Sequence, residues 1–207
     1  MPGKNFRFSF VLTFLLFSAL HVFGQQDYII TINGKPQEIG LNKEYTLVIN
    51  GKPATIRIAS KDTLTYQDEF YSFKHPKELK PSVLKVEEGI EQLTLLTGDG
   101  TGFIIQKYTS INPSGLMDMM LQEVTKESVN YGFKMKTKDS EKKLKTGQKL
   151  PVRKATLTYK DQTNVYEIAT YGNKDEGLII LTMVMDESLS KSANNFIDLL
   201  WNSFELK

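Results

Sequence analysis

The chain has 207 residues, of which 40% are hydrophobic and 24% charged, and its formal net charge is +2 at pH 7. This composition is typical of a globular protein and excludes disordered, collagen-like and polytopic membrane classes. The absence of cysteine excludes disulfide frameworks, cysteine nucleophiles and thiolate metal sites.

The N-terminus has the three regions of a secretory signal peptide. Lys4 and Arg7 precede an apolar run over residues 8–23, which is shorter than the ~20 residues that a stable membrane span needs. Val22 and Gly24 suit the −3 and −1 positions of a cleavage site. We therefore expect a signal peptide over 1–24, cleavage after Gly24, and a secreted or periplasmic protein with no remaining membrane span.

Cleavage would also change the charge balance. The two basic residues of the signal leave 24 basic residues, which balance the 24 acidic ones. The mature chain would be neutral overall, so we expect no nucleic-acid partner.

Residues 25–62 contain a near-repeat that predicts two β-hairpins. The segments 31–36 and 48–53 share the sequence Ile-Asn-Gly-Lys-Pro, and each Asn-Gly lies between apolar-alternating residues. Asparagine and glycine tolerate the positive φ that a two-residue type I′ turn requires. We expect a β-hairpin extension with turns at Asn33-Gly34 and Asn50-Gly51.

Residues 63–207 predict a second, larger domain. A short strand over 70–74 ends before Pro76, and a hairpin follows with strands at 93–97 and 102–109. Asn112-Pro113 is typical of a helix start and Gly132 of a helix end. The 3.6-residue period places Met119 and Met120 on the buried stripe of this helix.

The C-terminal part predicts three meandering strands, over 151–160, 164–171 and 178–185. A closing helix follows from about Leu189 to Phe204, capped by Asp186 or Ser188. Short turns between consecutive strands favour antiparallel pairing. The predicted fold class is therefore α+β, with an antiparallel sheet flanked by helices and an N-terminal β-hairpin appendage.

Two motifs support a family resemblance. The segment Tyr66-x-x-Glu69-Phe-Tyr-Ser-Phe-x-His-Pro76 and the closing Leu199-Leu-Trp-Asn-Ser-Phe204 resemble the Mog1/PsbP-like superfamily, and in particular secreted bacterial members with an N-terminal hairpin extension. The resemblance implies an αβα sandwich over 63–207. Members include a photosystem II extrinsic subunit and a small GTPase-binding protein, which implies a binding or assembly role. None of their functional residues matches a position here.

Candidate catalytic and metal-binding motifs are weak. His75 is the only histidine after the signal, and we expect it at the surface or at a strand end rather than in a catalytic triad. Residues 97–102 carry one carboxylate, Asp99, which favours a tight turn over a calcium loop. We predict no catalytic, cofactor-binding or metal-binding residue and no cofactor, although dispersed carboxylates of a hydrolase stay open.

Residues 134–154 carry nine basic side chains and only two acidic ones, Asp139 and Glu141. We expect 134–149 to be an exposed, mobile connection between the first helix and the meander. We predict a patch for an anionic partner that comprises Lys142, Lys143, Lys145, Lys149, Arg153 and Lys154.

These observations predict a protein without enzymatic activity. The favoured function is a secreted or periplasmic binding or assembly accessory protein with a protein partner. The alternative is a carrier of an apolar or amphipathic small ligand held between helix and sheet, which the methionines of the first helix and last strand suggest.

Overall fold

The computed structural model of the chain describes residues 27–186 and 191–207. The predicted signal peptide, its cleavage site and the cap at Ser188 lie outside these residues. These described residues divide into two compact units, which meet in the sequence between Ser60 and Lys61. No helix among the described residues is long and apolar enough to cross a membrane.

The first unit contains two separate antiparallel hairpins. Strands β1 (Asp27–Ile32) and β2 (Lys35–Gly40) form one, and β3 (Glu44–Ile49) and β4 (Lys52–Arg57) form the other. Asn33 and Gly34 have φ values of 50° and 76°, and Asn50 and Gly51 have 50° and 78°. Positive φ at both central residues is the geometry of the predicted type I′ turns.

The second unit is built on a seven-stranded antiparallel sheet, which confirms the predicted antiparallel architecture. Its strands in chain order are β7 (Ser82–Glu87), β8 (Ile90–Leu96), β9 (Gly102–Tyr108), β10 (Lys134–Lys143), β11 (Lys149–Tyr159), β12 (Gln162–Asn173) and β13 (Glu176–Val184). The spatial order is β10-β11-β12-β13-β9-β8-β7, so β10 and β7 form the two edges.

A smaller sheet accompanies the large one. It contains β5 (Thr63–Gln67), β6 (Tyr71–Pro76) and the short β14 (Glu205–Leu206), in the order β14-β6-β5. The motif that carries the sequence resemblance forms β6, whose residues alternate between buried and more exposed. Strands β5 and β7 had no counterpart in the sequence prediction.

Two helices complete the unit. A 3-10 helix, Pro113–Leu116, leads into α1 (Met117–Tyr131), and Asn112 caps the turn by accepting a hydrogen bond from Ser114 N at 3.0 Å. Gly132 ends α1 in the left-handed region with φ 115°, as predicted. The closing helix α2 spans Lys191–Ser203.

The large sheet separates two hydrophobic clusters. Alternate residues of a strand point to opposite faces, so Val152 and Leu150 of β11 pack with Leu200 and Phe204, while Leu157 packs with Leu121 of α1. The face that carries α2 and the small sheet is called the α2 face below, and the other is called the α1 face.

Candidate functional site: the lysine-rich sheet edge

The lysine-rich stretch is a strand, not the mobile connection that its composition predicted. All ten residues of β10 pair with β11, from Lys134 opposite Thr158 to Lys143 opposite Lys149. The loop between the strands is short, and it buries Leu144 to 2% exposure. The prediction was wrong because an edge strand can leave both faces in water, and it then lacks the apolar alternation that identifies a strand.

The six residues of the predicted patch lie on both faces of the sheet. Lys142 stands opposite Leu150, and Leu150 packs with α2, so Lys142 and Lys154 lie on the α2 face. Arg153, Lys143 and Lys149 occupy the alternating positions of the α1 face. Lys145 is exposed in the connecting loop. The predicted patch is therefore not one continuous surface.

On the α2 face, two patch lysines are partnered. Lys142 Nζ lies 3.5 Å from Glu167 Oε2 and 4.6 Å from the ring centroid of Trp201. Lys154 Nζ lies 3.9 Å from Glu167 Oε1. These side chains line a small cleft of about 140 Å³ together with Asp198 and Thr182. The opposite charges on this cleft balance, so it does not by itself attract an anion.

On the α1 face, Arg153 and Lys149 are also paired. Arg153 donates to Asp139 at 2.6 and 2.9 Å, and it forms a further ion pair with Asp118 of α1. Lys149 Nζ lies 2.9 Å from Glu141 Oε2, and this hydrogen bond raises the pKa of the lysine. Four of the six patch residues are therefore neutralised locally.

A row of further lysines, unpaired within the described part of the chain, lies along the same strand. Lys134, Lys136 and Lys138 alternate on the α2 face of β10, and Lys138 stands directly opposite Lys154. All three are exposed, and no carboxylate among the described residues lies within 4.0 Å of their ammonium groups. We call Lys134, Lys136 and Lys138 the lysine edge. The period-two spacing of these lysines was the sequence signal that would have located it.

A groove runs along the α1 face beside the same strand. It has a volume of about 400 Å³ and is lined by Met119, Gln122, Lys126 and Val129 of α1 and by Met135 of β10, among others. Met119 is 58% exposed and Met135 41%. The prediction that Met119 lies in the buried stripe was wrong, since Leu121 and Thr125 are the buried positions of α1. We call this feature the methionine groove.

A second charged cluster surrounds Lys107 on β9. Its ammonium lies 3.1 Å from Asp68 Oδ2, 3.1 Å from Glu91 Oε1 and 3.7 Å from Glu69 Oε1, and its side chain is 11% exposed. Burial lowers the pKa of Lys107, but the hydrogen bonds to Glu91 and Asp68 outweigh this and raise it overall. The cluster anchors the start of β6 to the large sheet, because Asp68 Oδ1 also accepts from the backbone of Tyr71 at 2.9 Å.

Two phenols, the buried Tyr71 and the half-buried Tyr66, adjoin this cluster. Burial raises the pKa of Tyr71 well above its ordinary range, and the nearby Asp68 carboxylate adds to the effect. Burial likewise raises the pKa of Tyr66, which stacks on Tyr71 with ring centroids 5.9 Å apart. These phenols are thus held in the neutral form, and the cluster supports the fold.

His75 occupies the end of β6, as predicted, but it is buried to 5% exposure and not at the surface. Its Nδ1 lies 2.9 Å from the carbonyl oxygen of Pro76. The ring is buried because β6 is the middle strand of the small sheet, a placement that the flanking lysine and proline did not suggest.

The Asp99 segment forms the predicted tight turn. Gly100 N donates to Thr97 O at 3.0 Å, and Thr101 N donates to Asp99 Oδ1 at 3.1 Å. The hydrogen bond from Thr97 lowers the pKa of Asp99. Among residues 27–186 and 191–207, no group of three or more metal-ligating side chains is placed to hold a metal ion.

A further cavity lies between α1 and the end of the sheet. Its volume is about 580 Å³, and its lining includes Glu123, Glu127 and Asn130 from α1 and Asn164, Tyr166 and Met185 from the sheet side. Polar and charged groups dominate this lining. Such a surface suits water or a polar ligand better than a lipid tail.

No family model matches the chain, and no curated protein matches it. Among solved structures, cyanobacterial PsbP (CyanoP) from Synechocystis sp. PCC 6803 is similar, with 11% identity, a TM-score of 0.45, and coverage of 70% of this chain and 93% of that one. A crystal structure from Bacteroides thetaiotaomicron VPI-5482 is similar at 8% identity and a TM-score of 0.37, over 71% of this chain and 49% of that one.

Proposed function

We propose that the chain is a non-catalytic accessory protein, secreted or periplasmic after cleavage behind Gly24, that binds an acidic surface of a protein partner. Residues 63–207 form the binding domain, a PsbP-like αβα sandwich, and 25–62 form a hairpin extension. The lysine edge carries the proposal. Three exposed lysines lie in a row without a nearby carboxylate. Removing water from their ammonium groups is unfavourable unless a partner supplies the opposite charge.

The spacing of these lysines supports binding to a protein. Residues two apart on one strand face are separated by about 6.6 Å, so Lys134 and Lys138 span about 13 Å along the edge. A fixed array of this kind favours a partner with matching carboxylates, because charge complementarity selects partner and register more than it adds raw affinity.

Capture from the native envelope fraction tests the proposal. A lysine-edge variant, Lys134→Gln, Lys136→Gln and Lys138→Gln, should lose a stoichiometric partner that the native chain retains. A matched control, Lys80→Gln, Lys85→Gln and Lys174→Gln, makes the same charge change at other exposed positions and should retain it. Equal capture by both variants would contradict the proposal.

The carrier of an apolar or amphipathic ligand stays a prediction. The polar lining of the cavity beside α1 gives the carrier function less support than the lysine edge gives protein binding. Native mass spectrometry of the purified protein decides between the two, since a carrier retains a co-purifying small molecule.

A further inference from the structure

The two edges of the large sheet differ in what they offer to another strand. β7 has six residues, and a register shift between Lys85 and Glu87 interrupts its pairing with β8. β10 has ten residues in unbroken register with β11, so its outer backbone groups form a regular row. A free regular edge of about 33 Å can accept an added strand.

The two faces of β10 would offer different side chains to an added strand. The α2 face presents Lys134, Lys136 and Lys138, and the α1 face presents Met135 and Thr137 at the alternating positions. Lysines on an edge strand oppose pairing with a neutral or basic strand. They favour pairing with a strand that carries carboxylates directly opposite them.

The methionine groove extends the apolar side of this edge. Met135 lies on β10 itself, and Met119 and Val129 face it from α1 within one lining. Methionine side chains adapt to ligands of different shape. An added strand would therefore place one set of side chains against the lysines and the other set against this groove.

We infer that β10 binds an extended acidic segment of the protein partner as an additional strand. Its carboxylates alternate with apolar residues, the carboxylates facing the lysine edge and the apolar side chains facing the methionine groove. Charge complementarity on one face and the exposed methionines on the other select this occupant. The inference rests on the proposed function and adds the mode of recognition and the sequence pattern of the partner.

Three peptide probes test the inference on the purified protein. The first is a ten-residue peptide that alternates glutamate and valine, and the second has the same composition with the glutamates grouped at one end. The third alternates lysine and valine. Isothermal titration at low and high salt measures their affinities, and amide hydrogen exchange reports whether β10 gains a partner strand.

The expected result is that the alternating acidic peptide binds at least tenfold more tightly than the grouped one and that its affinity falls with salt. It should also slow exchange at those β10 amides that do not bond to β11. Met135→Ala, which leaves the charge of the lysine edge unchanged, should weaken the alternating peptide at least fivefold and leave the grouped peptide unchanged.

Equal binding of both acidic peptides without protection of β10 would overturn strand addition. So would no binding of either peptide, or binding to vesicles of anionic phosphatidylglycerol in place of the peptides. The proposed function is judged separately, because the lysine-edge variant either loses the envelope partner or keeps it whatever the mode of contact.

Discussion

Replacing Lys107 by methionine should destabilise the second unit by about 3 kcal/mol. The substitution keeps much of the side-chain length but removes the charge that Asp68 and Glu91 share at 3.1 Å. A unit pair near 4 Å interacts by about 4 kcal/mol at an effective dielectric constant of 20. Removing one partner of a buried pair typically costs about 3–5 kcal/mol. Glu91 is 39% exposed and can be solvated after the substitution, so we expect a destabilisation at the lower end of this range.

Equilibrium unfolding in urea measures this loss. Trp201 is the single tryptophan of the chain and lies 8% exposed in the second unit, so its fluorescence reports on that unit. The control Lys80→Met changes an exposed lysine and should stay within ~0.5 kcal/mol of the native value. A loss below about 1 kcal/mol at pH 7 would refute a structural role for the cluster.

Three further predictions concern stability. Lys142→Gln removes the contact with the indole ring and should cost about 1 kcal/mol, whereas Lys143→Gln should stay within ~0.5 kcal/mol; equal urea midpoints would contradict this. Gly102→Ala should cost about 2 kcal/mol, because φ is 148° and a Cβ would lie 2.2 Å from Leu95 O; an unchanged melting temperature would refute it. Folding raises the pKa of Lys107 above its ordinary value of 10.5 and the pKa values of several tyrosines above 10.0. Because the unfolded chain releases these protons at a lower pH than the folded chain, stability should fall above about pH 10. A flat urea midpoint between pH 9 and 11 would contradict this.

Local turn and cap chemistry made part of the fold predictable. Asn33-Gly34 and Asn50-Gly51 required positive φ, and Gly132 had the freedom that a helix end needs. The meander was also predictable, because its strands combine apolar runs with short turns. These signals depend only on neighbouring residues, so they do not depend on the tertiary contacts of the chain.

The phase of α1 was harder to predict. Leu116 lies in a 3-10 turn, which advances by three residues per turn, and α1 begins only at Met117. Counting an α-helical period from Leu116 therefore rotated the expected stripe and placed exposed Met119 inside. Sequence periodicity locates a helix better than it fixes which face is buried.

The two charged features, the Lys107 cluster and the lysine edge, were not predicted from the sequence. The Lys107 cluster joins residues 39 positions apart, Asp68 and Lys107, and no local pattern links them. The lysine edge was hidden for a different reason. Both faces of β10 are exposed, so hydrophobicity gave no strand signal, and the alternating lysines were read as the composition of a loop.

The affinity for the envelope partner decides whether the lysine edge is the binding surface. Titration of the captured partner with the native chain, the lysine-edge variant and the matched lysine control, at low and high salt, gives the comparison. We predict that only the lysine-edge variant binds at least tenfold more weakly and with a reduced salt dependence. Unchanged affinity of that variant, or an equal loss in the control, would contradict it.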